Sequence, residues 1–437
     1  MLSPQGANDV LAQTYARVRQ HSLDICAPLV ADDYGVQPCA DVSPPKWHLA
    51  HTTWFFETFL LKPEFSNYQV YNPAFEYLFN SYYNGIGAQH PREQRGHISR
   101  PTLEDVFAYR RQIDDAMLAL LSGPVSAELR QAVVLGVNHE QQHQELLATD
   151  IKYILGNNPT HPAYLAQSTE QQPKQALLKH SPEPMNYESF PGGLLEVGHD
   201  LENSPGFCFD NETPRHKTYL QPFRFAQRLV SNAEYLAFIE DDGYQRADLW
   251  LADGWARLNE QRRTNPAAPL YWRKQDEEWF EYRLTGLHAL QPAAPVCHVS
   301  FFEADAYARW AGVRLPTEFE WEVVAANAAE SAPDTQGLYH LHPYAANQST
   351  AGSKRIEQLS GCLWQWTQSA YLPYPGYHPL PGVIGEYNGK FMSSQMVLRG
   401  GSIATPAEHN RLTYRNFFYP PDRWQFTGIR LAADVAD

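Results

Sequence analysis

Apolar residues recur at helical spacing through roughly the first 158 positions and only in isolated segments after that. Asn8 to Arg19 carries them near three- and four-residue intervals, which predicts a first helix. Ser43-Pro44-Pro45 precedes the run WHLAHTTWFFETFLLK, a cap followed by a second helix that Pro63 is expected to close. A third helix opens at Thr102-Leu103-Glu104-Asp105 and runs to about Leu121, before Gly123-Pro124. The last covers 126–155 and stops at Gly156-Asn157-Asn158-Pro159. Four such helices predict an up-and-down bundle. The connection from about Lys62 to Arg100 is too long for a bundle turn. It is rich in Tyr, Asn, Gly and Arg, which favours a functional loop.

After the last helix the texture changes. Residues 161–187 are polar and rich in Pro and Gln, as a linker is. Beyond them, short runs such as GGLLEVG, TYLQPFRFAQRLV and VLRGGS predict strands set among long aromatic loops. Two segments there keep a helical pattern, Ser231 to Glu240 and Phe302 to Ala311. The expected organisation is therefore α+β: a helical bundle over 1–160, a linker over 161–187 and a strand-rich domain over 188–437.

Composition narrows the function. With 34 Lys and Arg against 49 Asp and Glu, the net charge of −15 argues against a nucleic-acid or anionic-membrane partner, since both need a basic footprint. No apolar stretch is long enough for a membrane span, and the N-terminal residues lack the apolar core of a secretory signal. Five scattered cysteines (Cys26, Cys39, Cys208, Cys297 and Cys362) form no Cys-x-x-Cys pair, which fits a reducing cytoplasm and argues against a thiolate zinc site.

The strongest chemical signal is Asn138-His139-Glu140-Gln141-Gln142-His143 on the last helix. Residues at i and i+4 lie about 40° apart around a helix, so His139 and His143 project side by side and can share one metal ion. The second helix adds His48 and His51 at i,i+3. His51 is the better third ligand, and His48 reads as a solvent-facing or outer-shell residue. Two chemistries compete for this set. His139-Glu140-x-x-His143 matches the zinc-metallopeptidase helix, with Glu140 as general base. Its extended form fails, because Leu146 and Thr149 stand where Gly and His are required. Three neutral histidines without a carboxylate suit Fe(II) acting with dioxygen and a substrate thiolate instead.

The strings WHLAHTTWFFE, NSYYNGIGAQHPREQRG and NHEQQHQE resemble the DinB-like helical domain of the sulfoxide synthases of ergothioneine biosynthesis. PGGLLEVG, NETPRHKTYLQPFRFAQRLVSNAEYLAFI, PVCHVSFFEADAYARWAGVRLPTEFEWEVVA, SGCLWQWTQSAY, LRGGS and FTGIRLA resemble the formylglycine-generating-enzyme domain, which has a C-type-lectin-like fold. The resemblance spans nearly the whole chain in the right order. It implies a non-haem Fe(II) oxygenase that joins a thiol to carbon 2 of the hercynine imidazole and oxidises the sulfur, using O2. It makes His51, His139 and His143 the iron ligands. One phenol of Tyr82-Tyr83 becomes a proton donor at the iron, Arg92 and Arg95 a clamp for the carboxylate of the thiol substrate, and Gln142 a contact for the hercynine imidazole. Asn416, Phe417 and Phe418 complete the substrate set, aromatic faces being the usual partners of a quaternary ammonium. Trp364, Trp366 and Trp424 read as core. Phe418 stands where the γ-glutamylcysteine-using branch has Asp, and the tyrosine pair resembles the cysteine-using branch, so cysteine is the expected donor. A selenosugar donor, giving a selenoneine precursor, is the alternative within the same chemistry. Ovothiol synthases share the bundle but usually carry a further methyltransferase domain, which disfavours that reading.

Overall fold

The computed structural model describes residues 4–165, 184–204, 206–261, 267–328, 342–346, 356–380, 385 and 388–435. Most of the expected linker, 166–183, lies outside the described residues. The chain divides into two compact units, the first made mainly of residues up to Thr160 and the second mainly of residues from His161 on.

The first unit is built on four long helices: α1 (Pro4–Cys26), α2 (Pro45–Phe56), α4 (Leu103–Leu121) and α5 (Ala127–Asn157), with a short α3 (Ala74–Phe79) inside the long connection. Local sequence starts each helix where it does. Pro45 occupies the first turn of α2, where its missing N–H costs nothing. Thr102 and Asp105 form a reciprocal capping box on α4, and the Ser126 hydroxyl accepts the Leu129 N–H at the start of α5. Both α1 and α2 pack on α4 and α5. Gly136 explains how closely α2 and α5 approach: a Cβ there would stand 2.6 Å from the Phe56 ring and 3.2 Å from the Phe55 ring. Glycine inside a helix costs about 1 kcal/mol, and here it lets the two helices that carry His51, His139 and His143 meet.

Pro63 does not end the second helix. A π turn over Glu57–Leu61 widens the spiral, with the Lys62 N–H reaching back to the Glu57 carbonyl, and a last turn over Lys62–Glu64 carries the proline. The widened turn shifts the hydrogen-bond register, so the ring of Pro63 displaces no regular bond.

The second unit is mixed α+β. Its strands are β1 (Tyr187–Phe190), β2 (Gly193–Val197), β3 (His216–Leu220), β4 (Phe223–Ala226), β5 (Trp272–Gln275), β6 (Glu278–Arg283), β7 (Gly286–Ala289), β8 (Trp364–Ala370), β9 (Met396–Arg399), β10 (Asn416–Phe418), β11 (Thr427–Gly428) and β12 (Ala432–Asp434). They form a β1-β4-β12 sheet, a β10-β9-β8-β11 sheet, a β2-β3 ribbon and a β5-β6-β7 meander. Helices α6 (Asn232–Glu240), α7 (Ala252–Gln261), α8 (Phe301–Trp310) and α9 (Glu318–Asn327) lie among them. The sequence pattern anticipates α6 and α8 but not α7 or α9. One apolar core joins Val197, Leu220, Phe223, Phe225 and Trp321. Trp364, Trp366 and Trp424 are buried, as expected of core residues. Buried arginines brace the loops: Arg399 pairs with Glu322, and Arg415 reaches Glu318 at 2.8 Å.

Candidate metal centre

Helices α2 and α5 bring His51, His139 and His143 together. One ring nitrogen from each lies within 4.8 Å of the other two. His51 Nε2 is 3.2 Å from His139 Nε2, and both residues are fully buried. Among the described residues this is the only group of three or more potential ligands so arranged.

Electrostatics keeps the set ready to bind a cation. Burial, followed by the proximity of His139, holds His51 well below the ordinary imidazole range. Burial pushes His139 down to about 3. Burial and the neighbouring His51 and His139 rings depress His143. All three are neutral near pH 7, so each keeps a ring nitrogen lone pair. The Nδ1–H of His51 donates to the Phe79 carbonyl at 2.6 Å, which leaves the ring's lone pair on Nε2. Three neutral imidazoles crowded this closely, with no carboxylate among them, fit a divalent transition-metal ion with open coordination positions.

The surroundings are aromatic. Trp47 lies parallel to His51, with ring centroids 4.6 Å apart, and the Arg95 guanidinium carbon sits 3.4 Å from the Trp47 ring centroid. Trp54 also stacks on His51, and Phe55 covers His139 at 4.4 Å. Tyr83 is fully buried beside Trp54, Phe55 and Phe59, and Tyr82 leans on it from a half-buried position.

The two arginines of the loop part company. Arg95 points inward, where its guanidinium donates to Ser43 Oγ at 2.8 Å and Ser81 Oγ at 3.3 Å. It has no carboxylate within salt-bridge range among the described residues. Burial, then Arg92, lowers its pKa to about 9. Arg92 is exposed and donates to the Asp41 carbonyl. Gln142 is half-buried beside His143 on α5. In the second unit, Asn416, Phe417 and Phe418 form the half-buried strand β10. Phe417 stacks on Tyr371 at 4.0 Å, and Phe418 meets the edge of Trp424 at 5.6 Å.

Glu140 overturns the peptidase alternative. Its carboxylate is fully buried and held by groups of α1 and α4. It accepts from Ser22 Oγ at 2.6 Å, Arg19 Nη1 at 2.9 Å and Arg110 Nη2 at 2.5 Å. Burial alone would raise its pKa, but Arg110 and Arg19 outweigh it and hold the group at about 2. A carboxylate with both oxygens engaged by Ser22, Arg19 and Arg110 is not placed to serve as the general base of a zinc site. Sequence reasoning also missed Asp150, which bonds to His48 at 2.9 Å. The signal was present in its i,i+7 spacing from His143, which repeats the same helix face.

Comparison with known proteins agrees with this architecture. The DinB superfamily matches residues 14–147, and the sulfatase-modifying factor enzyme 1-like domain matches 174–435. The hercynine oxygenase of Mycolicibacterium thermoresistibile is 32% identical over 420 residues, covering 90% of this chain and 88% of that protein. The chain belongs to the hercynine oxygenase family. Another hercynine oxygenase, from Mycobacterium tuberculosis, is 30% identical over 90% of this chain and 92% of its own. That of Mycolicibacterium smegmatis is 35% identical over 56% of this chain and 60% of its own. Membership in the hercynine oxygenase family makes the protein a metal-dependent oxygenase, and the buried histidine triad is a group that could hold a metal ion. No helix among the described residues is long and apolar enough to cross a membrane.

Proposed function

We propose that the protein is an Fe(II)- and O2-dependent sulfoxide synthase that joins cysteine to carbon 2 of the hercynine imidazole, a step of ergothioneine biosynthesis in the cytoplasm. The observation that carries this reading is the convergence of His51, His139 and His143 as three neutral imidazoles with no carboxylate. Iron(II) held by these rings would activate dioxygen, the oxidant for both halves of the reaction. The electrons balance. Forming the C–S bond releases two and oxidising sulfur releases two more, so one O2 is fully reduced, with one oxygen kept in the sulfoxide and the other leaving as water. No separate reductant is required.

The chain's own residues supply the rest. Arg95 is a buried cation without a carboxylate in salt-bridge range among the described residues, which suits it to the carboxylate of the amino-acid thiol, with Arg92 exposed on the same loop. Tyr83 is the better proton donor of the pair, because it is buried against the rings that line His51 and His139. Tyr82 then serves to hold it. Gln142, Asn416, Phe417 and Phe418 are assigned to hercynine, whose quaternary ammonium has no N–H to donate and favours aromatic faces.

Protein loaded anaerobically with Fe(II) and given hercynine, oxygen and cysteine is expected to consume O2 and yield the sulfoxide. γ-Glutamylcysteine and a selenosugar run in parallel identify the donor. Oxygen uptake with the selenosugar alone would transfer the assignment to selenium chemistry. No uptake with any donor despite bound iron would overturn it. In the same assay, Arg95→Leu is expected to raise the KM for the thiol by roughly 10- to 100-fold, the cost of a lost charge-assisted pair. Tyr83→Phe is expected to lower kcat with little change in KM. An unchanged KM in the first variant, or an unchanged kcat in the second, would remove that residue from the assignment.

A further inference from the structure

Beside the triad runs a line of buried polar groups that the proposed reaction does not use. Asp150 lies seven residues beyond His143, two turns further along the same face of α5. Its Oδ2 accepts the Ser43 backbone N–H at 2.8 Å and stands 2.9 Å from His48 Nε2. The other nitrogen of His48, Nδ1, is 2.9 Å from Nδ1 of His143. Ser43, His48 and Asp150 are all buried.

The proton positions along this line follow from its end. An ionised carboxylate only accepts, so the hydrogen between Asp150 and His48 sits on His48 Nε2. With that hydrogen on Nε2, the Nδ1 lone pair of His48 faces Nδ1 of His143, and the hydrogen between the two rings belongs to His143. A neutral His143 is left with its lone pair on Nε2, free to bind a metal ion. With the line reversed, His48 would donate to His143, the proton of His143 would sit on Nε2, and that nitrogen could not coordinate.

We infer that His48 and Asp150 are positioning residues for His143: together they fix its tautomer, hold its ring and raise its strength as a ligand. Outer partners of this kind typically change metal affinity by about 10- to 100-fold. The inference rests on the reading of the triad as a metal site. A purely structural role, tying the chain at Ser43 and α2 to α5, would leave metal affinity unaffected once the protein is folded.

The test is titration of the metal-free full-length protein with Fe(II), under anaerobic conditions and against a chelator, and with Co(II), whose visible bands report its ligands. The parent is expected to bind one ion of either metal. His48→Phe keeps a ring but breaks the line, and is expected to weaken binding about 10- to 100-fold and to shift the Co(II) bands. His48→Gln keeps an acceptor for His143 and a donor for Asp150, so it is expected to bind close to the parent value. The melting temperatures of the two metal-free variants should agree. Should His48→Phe not fold, Asp150→Asn gives the same reading more gently. It keeps an oxygen for Ser43 and His48 but loses the charge, and a several-fold weakening is expected. Parent-like affinity and bands in His48→Phe, equal weakening in His48→Phe and His48→Gln, or parent-like binding in Asp150→Asn would overturn the inference. A parent that binds neither ion would overturn the metal reading itself.

Discussion

Substituting alanine for His139 is expected to strip the protein of bound Fe(II) and to reduce hercynine-dependent oxygen uptake to that of a protein-free blank. Of the three rings, His139 has the fewest substitutes. It is fully buried under Phe55, and its Nε2 stands 3.2 Å from that of His51. Removing it leaves two imidazoles and a small apolar gap, a set too weak to retain a labile divalent ion. The loss should exceed the roughly 10- to 100-fold cost of disturbing an outer partner. Metal content measured after desalting, together with oxygen-electrode traces, decides the matter. Full iron content or residual turnover in His139→Ala would remove this histidine from the ligand set.

Glu140→Gln is expected to act on the fold. The carboxylate pairs with Arg19 and Arg110 in the interior of the bundle, and glutamine leaves Arg110 facing a neutral amide and Arg19 with Asp114 as its remaining carboxylate. Breaking one partner out of a buried ion pair typically costs about 3–5 kcal/mol. A denaturant midpoint well below that of the parent is the expected result. Any variant protein that remains folded should still bind metal and turn over, because Glu140 takes no part in the chemistry. A peptidase would show the reverse, with full stability and no activity, and that outcome would restore the reading rejected above.

The triad was legible in the sequence because helical periodicity converts spacing directly into geometry. His139 and His143 at i,i+4 needed only a helix to stand together, and the Trp-His-Leu-Ala-His string set His51 on the facing element. Interactions that depend on a third element were not legible. Glu140 sits within the same motif, yet its role is decided by Arg19 on α1 and Arg110 on α4, and no local pattern announces them. Arg92 and Arg95 looked equivalent at i,i+3, but only the packing against Trp47 sends one inward. In the second unit, α9 carried a readable start, since Thr317 and Glu320 form a capping box. Its aromatic and acidic composition hid the helical period. The β5–β7 meander was missed for a related reason: Arg273, Lys274, Glu278 and Glu281 interrupt the apolar alternation that marks a strand.

The clasp on Glu140 has a thermodynamic corollary. Ser22 and Arg19 of α1 and Arg110 of α4 grip α5 one residue from His139, using groups that no metal ion touches. The backbone that carries the triad is therefore ordered by the bundle's own charges and packing. In small zinc domains the binding free energy is the folding free energy, and chelators unfold them. Here the conformational entropy of assembling the site is already lost when the chain folds. A chelator should withdraw the ion and leave a cooperative, fully helical apoprotein. Metal should then raise the melting temperature only by mass action on the native state.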